Sequence, residues 1–251
     1  MAKRRRKRRG VLGKVIGGLL AFLFLIVLAA GMFWAVQGYL SYQKAVKEKP
    51  LAQAVEEIRS ETQWVSLDQV PEMYKKAVLA VEDHRYYEHH GIDWISTVRA
   101  VAHDIRVMKP EQGGSSITQQ LVKNMYYDQN KTLARKAAEA WTALYVEREL
   151  SKDEILELYI NTIYFGDGYY GLREASLGYF DKEPQDLTDS EAILLAGIPN
   201  APSAYAPSRH ADLALQREKQ VLAAMVKYGY LEESEQDGLL WDAAADPVAE
   251  R

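Results

Sequence analysis

The chain is 251 residues long, carries 31 Lys and Arg against 35 Asp and Glu, and has no cysteine. The missing thiols exclude a cysteine nucleophile, a Cys-ligated zinc site and a disulfide framework. Eight of the cations fall in the first 14 residues, "MAKRRRKRRGVLGK", so the rest of the chain is strongly acidic. That balance argues against a general nucleic-acid binder, because phosphate contacts need positive surface.

Residues 15–40, "VIGGLLAFLFLIVLAAGMFWAVQGYL", hold no charged side chain. As a helix they would reach about 39 Å, more than the ~30 Å hydrocarbon core of a bilayer. Phe33, Trp34 and Tyr39 suit an interfacial aromatic belt, and the basic head 1–14 should stay cytoplasmic. A cleaved signal peptide is the alternative, but the apolar run is long for one. The expectation is a single-pass anchor at the cell membrane with its N-terminus in the cytoplasm. It continues into a polar stalk over 41–65, an external helical domain over 66–230 and a C-terminal tail over 231–251.

Within that domain, Pro71 marks a helix start and Met73, Ala77, Val78 and Val81 recur at helical spacing in a segment reaching Gly91. A second helix is expected from Leu133 to Leu150, with Ala137, Trp141, Leu144 and Tyr145 as its apolar stripe. Ser151 with Glu154 and Thr188 with Glu191 form capping-box patterns before two more helices. Another fits 211–228. Strand signals are weak, so the domain reads as mainly α.

Three stretches carry groups capable of chemistry. "VEDHRYYEHHGID" crowds Glu82, Asp83, Glu88 and Asp93 around three histidines, although no His pair has the spacing of a helical zinc motif. Glu82 lies one helical turn from Val78 beside the apolar stripe, where partial desolvation would raise its pKa towards that of a general base. A solvated, charge-rich helix end is the plainer reading of the same residues. "GGSSITQQLVKN", residues 113–124, sets hydroxyls and amides side by side and ends in Lys123 and Asn124. "ARKAAEAW" places Arg135 and Glu139 at i, i+4, either as an ordinary surface pair or as a carboxylate with adjacent cations able to hold a diphosphate or its metal ion.

Taken in order, "EDHRYYEHHG", "GGSSITQQLVKN", "RKAAE", "KDEILELYINTIYFGDGYYGLREASLGYF" and "LLAGIPNAPSAYAP" resemble the five motifs of the peptidoglycan glycosyltransferase family, the transglycosylases of penicillin-binding proteins. Tyr86 stands where phenylalanine is usual and Ser116 where threonine is. The resemblance implies a lysozyme-like, mainly α domain in a monofunctional enzyme that polymerises lipid II into β-1,4 glycan with release of undecaprenyl diphosphate. It assigns catalysis to Glu82 and Glu139. It assigns substrate contact to Asp83, Tyr86, His89 and Gly91 in the first motif, and to Ser115, Ser116, Thr118, Gln119, Gln120, Lys123 and Asn124 in the second. Lys131, Arg135 and Lys136 would join Lys123 around the diphosphate. The implied cofactor is a divalent cation, Mg2+ or Mn2+, carried by the diphosphate and organised by Glu139, with no organic cofactor. The implied partners are lipid II, the growing lipid-linked glycan, membrane lipids and other cell-wall synthesis or division proteins.

Overall fold

The computed structural model describes residues 2–61, 63–107, 113–128 and 132–242. Helix α1 runs unbroken from Ala2 to Glu48, and its Ile16–Glu48 part is long and apolar enough to cross a membrane. The expected stalk is not free chain. α1 continues through its first residues, and α2 (Leu51–Arg59) buries Leu51, Ala54 and Val55. Asn161 then clasps the following segment, accepting from Val65 N and donating to Val65 O, each at 2.8 Å. The apolar face of residues 51–55 anchors 41–65 to the body.

The body comprises α3 (Glu72–Glu82), α4 (Trp94–Val107), α5 (Ile117–Tyr126), α6 (Leu133–Glu149), α7 (Lys152–Thr162), α8 (Leu172–Phe180), α9 (Asp189–Gly197), α10 (Pro202–Tyr205) and α11 (Ala211–Lys227). Among the described residues there are isolated β-bridges but no strands. The capping boxes expected at Ser151 and Thr188 both form. The helix expected to reach Gly91 instead stops at Glu82. Asp83 adopts an extended φ of −158°, and a 3-10 turn follows at Tyr86–Glu88.

α9 lies at the centre, with every residue from Glu191 to Gly197 buried. It packs on α3 and α11, while α5 is set between α6 and α7. The side chains filling this space are mostly aliphatic, with Tyr74, Tyr86, Tyr159 and Phe165 the fully buried aromatics. The tail is also partly docked: Trp241 is buried, its ring centroid 6.3 Å from that of Phe180, and its N–H donates to both oxygens of Glu218.

α6 turns the opposite way from its sequence pattern. Ala138, Glu139, Thr142, Ala143 and Val146 face the body, whereas Trp141 is exposed and Leu144 and Tyr145 are only half-buried. The apolar stripe meets α1 instead. Trp141 Nε1 donates to Ala35 O at 3.0 Å, and Tyr39 packs edge-on against Trp141. Gly38 permits the contact, since a Cβ there would stand 2.5 Å from Ala137 Cβ.

Candidate active site

Glu82 is the last residue of α3, and only 11% of its side chain is exposed. Its Oε2 accepts from Gln120 Nε2 at 2.7 Å, while the buried Oε1 has no hydrogen-bond partner among the described residues. Burial pushes this carboxyl above the ordinary range, with Gln120, Arg217 and Lys123 pulling the other way. A carboxylate so placed is a stronger proton acceptor than one in water.

Asp83 is used inward. It hydrogen-bonds His89 Nε2 at 2.9 and 3.0 Å and accepts from Ile117 N at 3.1 Å, tying the end of α3 to the start of α5. Tyr86 is buried, donates to Lys152 O at 2.7 Å and carries Lys152 Nζ over its ring. Gly91 has φ +81°, and a Cβ there would meet the Ala143 backbone at 2.9 Å. Asp83, Tyr86, His89 and Gly91 therefore form the frame behind Glu82 rather than its open face.

The hydroxyl and amide stretch divides in the same way. Ser116 caps α5, accepting from Gln119 N and donating to Gly91 O, and the Gln119 side chain returns to Ser116 N at 3.1 Å. This reciprocal box satisfies N–H groups that a helix start leaves open. Thr118 is fully buried and donates to Glu147. One turn further along, Gln120, Lys123 and Asn124 line a cleft of about 1160 Å3, together with Trp64, Tyr164 and Tyr170. Glycine is required behind the lining residue Pro202 at Gly166, where φ is +88° and a Cβ would lie 2.8 Å from Pro202 O.

Glu139 projects from α6 and is 1% exposed. Arg135 Nε lies 2.9 Å from Oε1 as an ion pair whose angle is not that of a hydrogen bond, and Lys136 Nζ hydrogen-bonds Oε2 at 3.0 Å. Lys136 also donates to Ser115 Oγ at 2.5 Å, and Arg135 Nη1 donates to Asp128 O. Lys131 lies outside the described residues. Burial lowers the pKa of the Lys123 ammonium. The neighbouring charges of Glu139 and Glu82 raise it, and those of Arg135 and Lys136 lower it further. Lys123 is thus within electrostatic reach of both carboxylates and both cations of α6.

Among the described residues, no group of three or more His, Asp or Glu is assembled to hold a metal ion. Glu139, already flanked by two cations, does not fit a direct ligand to a divalent cation. Arg217, which lies 3.9 Å from Glu82 Oε1, was not visible as a site residue in the sequence. It sits mid-helix with no motif around it, and its partner lies far away in the chain.

A family model described as Transglycosylase matches residues 47–226. A Cupriavidus necator protein provisionally named a transglycosylase is 38% identical over 220 residues, covering 88% of this chain and 94% of that relative. Penicillin-binding protein 1F of Bacillus subtilis is 41% identical over 231 residues, covering 85% of this chain and 32% of the relative. Penicillin-binding protein 1A of Escherichia coli is 42% identical over 173 residues, covering 69% of this chain and 20% of the relative. The chain therefore spans a third or less of the length of these penicillin-binding proteins. A crystal structure of penicillin-binding protein 1A from Haemophilus influenzae aligns with a TM-score of 0.43 at 25% identity, over 71% of this chain and 17% of that one. That likeness is too distant to carry the fold.

Proposed function

The chain belongs to the transglycosylase family, an enzyme family of peptidoglycan synthesis, and on that premise we propose that it polymerises lipid II into β-1,4 glycan strands at the outer face of the cell membrane. The carrying observation is Lys123, a half-buried cation on the cleft wall in electrostatic reach of both Glu82 and Glu139. A diphosphate leaving group needs countercharge rather than a proton, whereas an attacking sugar hydroxyl must lose one. One base and a cationic cluster answer both needs.

In the reaction, the 4-hydroxyl oxygen of the acceptor GlcNAc attacks the α-linked anomeric carbon of the lipid-linked glycan donor. Its proton passes to Glu82 as the new carbon–oxygen bond forms. The bond to the diphosphate oxygen breaks with its electron pair, and undecaprenyl diphosphate departs. In-line displacement inverts the α-linkage to β. Lys123 supplies the nearest countercharge. Arg135 and Lys136, held by Glu139, extend the positive field, so Glu139 organises cations rather than acting as a second base. Any divalent cation would reach the site on the diphosphate, and no step requires one bound by the protein alone. α1 supports membrane attachment by its length and apolarity, and the basic head supports a cytoplasmic N-terminus.

The test is to incubate the full chain with lipid II in detergent and resolve the products. Lysozyme-digestible glycan and undecaprenyl diphosphate are expected, with no action on lipid-free glycan. Shortening of finished glycan while lipid II stays intact would replace this reading with a hydrolase.

A further inference from the structure

Glu82 has one oxygen that Gln120 engages and one that nothing among the described residues hydrogen-bonds. Among the described residues, the cation paired with that free oxygen comes from α11. Arg217 Nη2 stands 3.9 Å from Oε1, and each of the two side chains is only 11% exposed. The arginine is not a loose surface group. Its Nε donates to Gly197 O at 3.2 Å, its Nη1 donates to Gln220 Oε1 at 3.0 Å, and its guanidinium lies over the Tyr205 ring. Gly197 leaves the room for this placement, since a Cβ there would meet Arg217 Cγ at 3.0 Å and Val221 Cγ2 at 3.1 Å.

We propose that Arg217 is a positioning residue for the reaction, acting through Glu82 as its buried charge partner. This rests on the reading of Glu82 as general base. A buried carboxylate beside apolar α3 and α9 side chains would otherwise take up a proton and lose its power to accept one. The groups facing it from the surrounding elements are few. They are Gln120 and Lys123 on α5, Arg217 on α11, the Tyr159 hydroxyl on α7, and Tyr74 and Asp83 from its own segment. Of the two cations, Lys123 faces the diphosphate, where its charge is drawn on as the leaving group departs. Arg217 is tied to the backbone at Gly197 O and keeps its charge throughout the cycle. Through its charge it holds the base ionised, without touching sugar or phosphate.

The experiment is the pH profile of kcat/KM for lipid II turnover. Activity should rise with pH as Glu82 ionises, and an opposite charge at this range lowers a carboxyl pKa by about 1 to 3 units. Arg217→Met should therefore move the acidic limb to higher pH by about 1 to 3 pH units, and Arg217→Lys should recover part of the shift. Arg217→Gln provides a second route, since it removes the charge while keeping a polar group in the space beside Gly197 O. It should move the limb in the same direction, and it decides the matter if Arg217→Met does not fold. An unmoved limb in the folded variants would overturn the role of Arg217. Glu82→Gln measured alongside separates the two ideas: if that variant stays active, the general-base reading has failed, not merely the assignment of its partner.

Discussion

Gln120 Nε2 donates to Glu82 Oε2 at 2.7 Å, joining the second turn of α5 to the last residue of α3. The bond holds a carboxylate that the fold has largely removed from water, and this arrangement carries opposite consequences for catalysis and for stability.

Glu82→Gln should reduce lipid II polymerisation by about 10² to 10⁴, the usual worth of a general base. The same variant should melt higher at neutral pH. The Glu82 pKa is raised on folding by burial, so its stabilising contribution is complete below the unfolded value and is lost as pH rises through the folded one. The neutral amide escapes that loss, at about 2–4 °C for each kcal/mol recovered. Melting curves between pH 4 and 8 check this, and the gain should vanish at the acid end.

Lys123→Ala should slow lipid II turnover by about 10² to 10³, comparable to removing one preorganised group that stabilises charge in the transition state. Thermal stability should hold or rise, because burial already disfavours the charged ammonium. Lipid II turnover and a melting curve on the same preparation separate the two effects.

Glu218 provides a pH dependence unrelated to catalysis. Burial pushes its carboxyl up to about 8, against the hydrogen bond from Trp241 N and the charge of Lys219. Its stabilising contribution is complete below the unfolded value near 4.5 and is lost as pH rises through about 8. The melting temperature of the full chain should therefore fall between pH 5 and 9. Glu218→Gln, which keeps an acceptor for Trp241 N–H, should flatten that fall.

Gly38→Val should unseat α1 from α6, because its side chain would start 2.5 Å from Ala137 Cβ and 2.6 Å from the Ala137 carbonyl carbon. Overpacking at such a contact costs about 1–3 kcal/mol. Trypsin cleavage after Lys44 and Lys47 in α1 should accelerate about tenfold or more, and Gly38→Ala should show a smaller effect. Unchanged cleavage would mean that the docking does not depend on this close approach.

The two capping boxes, the span of α6 and the Glu82 neighbourhood were legible in the sequence because each rests on local chemistry. The start of α5 carried the same signal, Ser116 with Gln119 three residues on, but its richness in hydroxyls and amides drew attention to ligand contact instead. Ser115, Ser116, Thr118, Gln119 and Gln120 all hydrogen-bond within the fold. α6 was misread by face because apolarity names a buried side without naming its partner. Trp141 and Tyr145 meet α1, while Glu139 and Thr142 turn into the body. Arg217 was beyond reach because the other half of its pair lies in α3.

The continuity of α1 makes the apolar segment and the catalytic body a keyed pair. Among the described side chains of α1, Trp34, Ala35, Gly38, Ser41, Tyr42, Ala45 and Val46 are partly or fully covered, and α6 is seated on that helix. One residue inserted between Gly38 and Ser41 would turn Trp34, Ala35 and Gly38 by about 100° and shift them by about 1.5 Å relative to Ser41, Tyr42 and Ala45. A slack tether would absorb such a change, but a docked shaft transmits it. Insertions within the docked stretch should therefore break the Tyr39–Trp141 contact, whereas insertions in the exposed 16–33 stretch should leave α1 seated on α6.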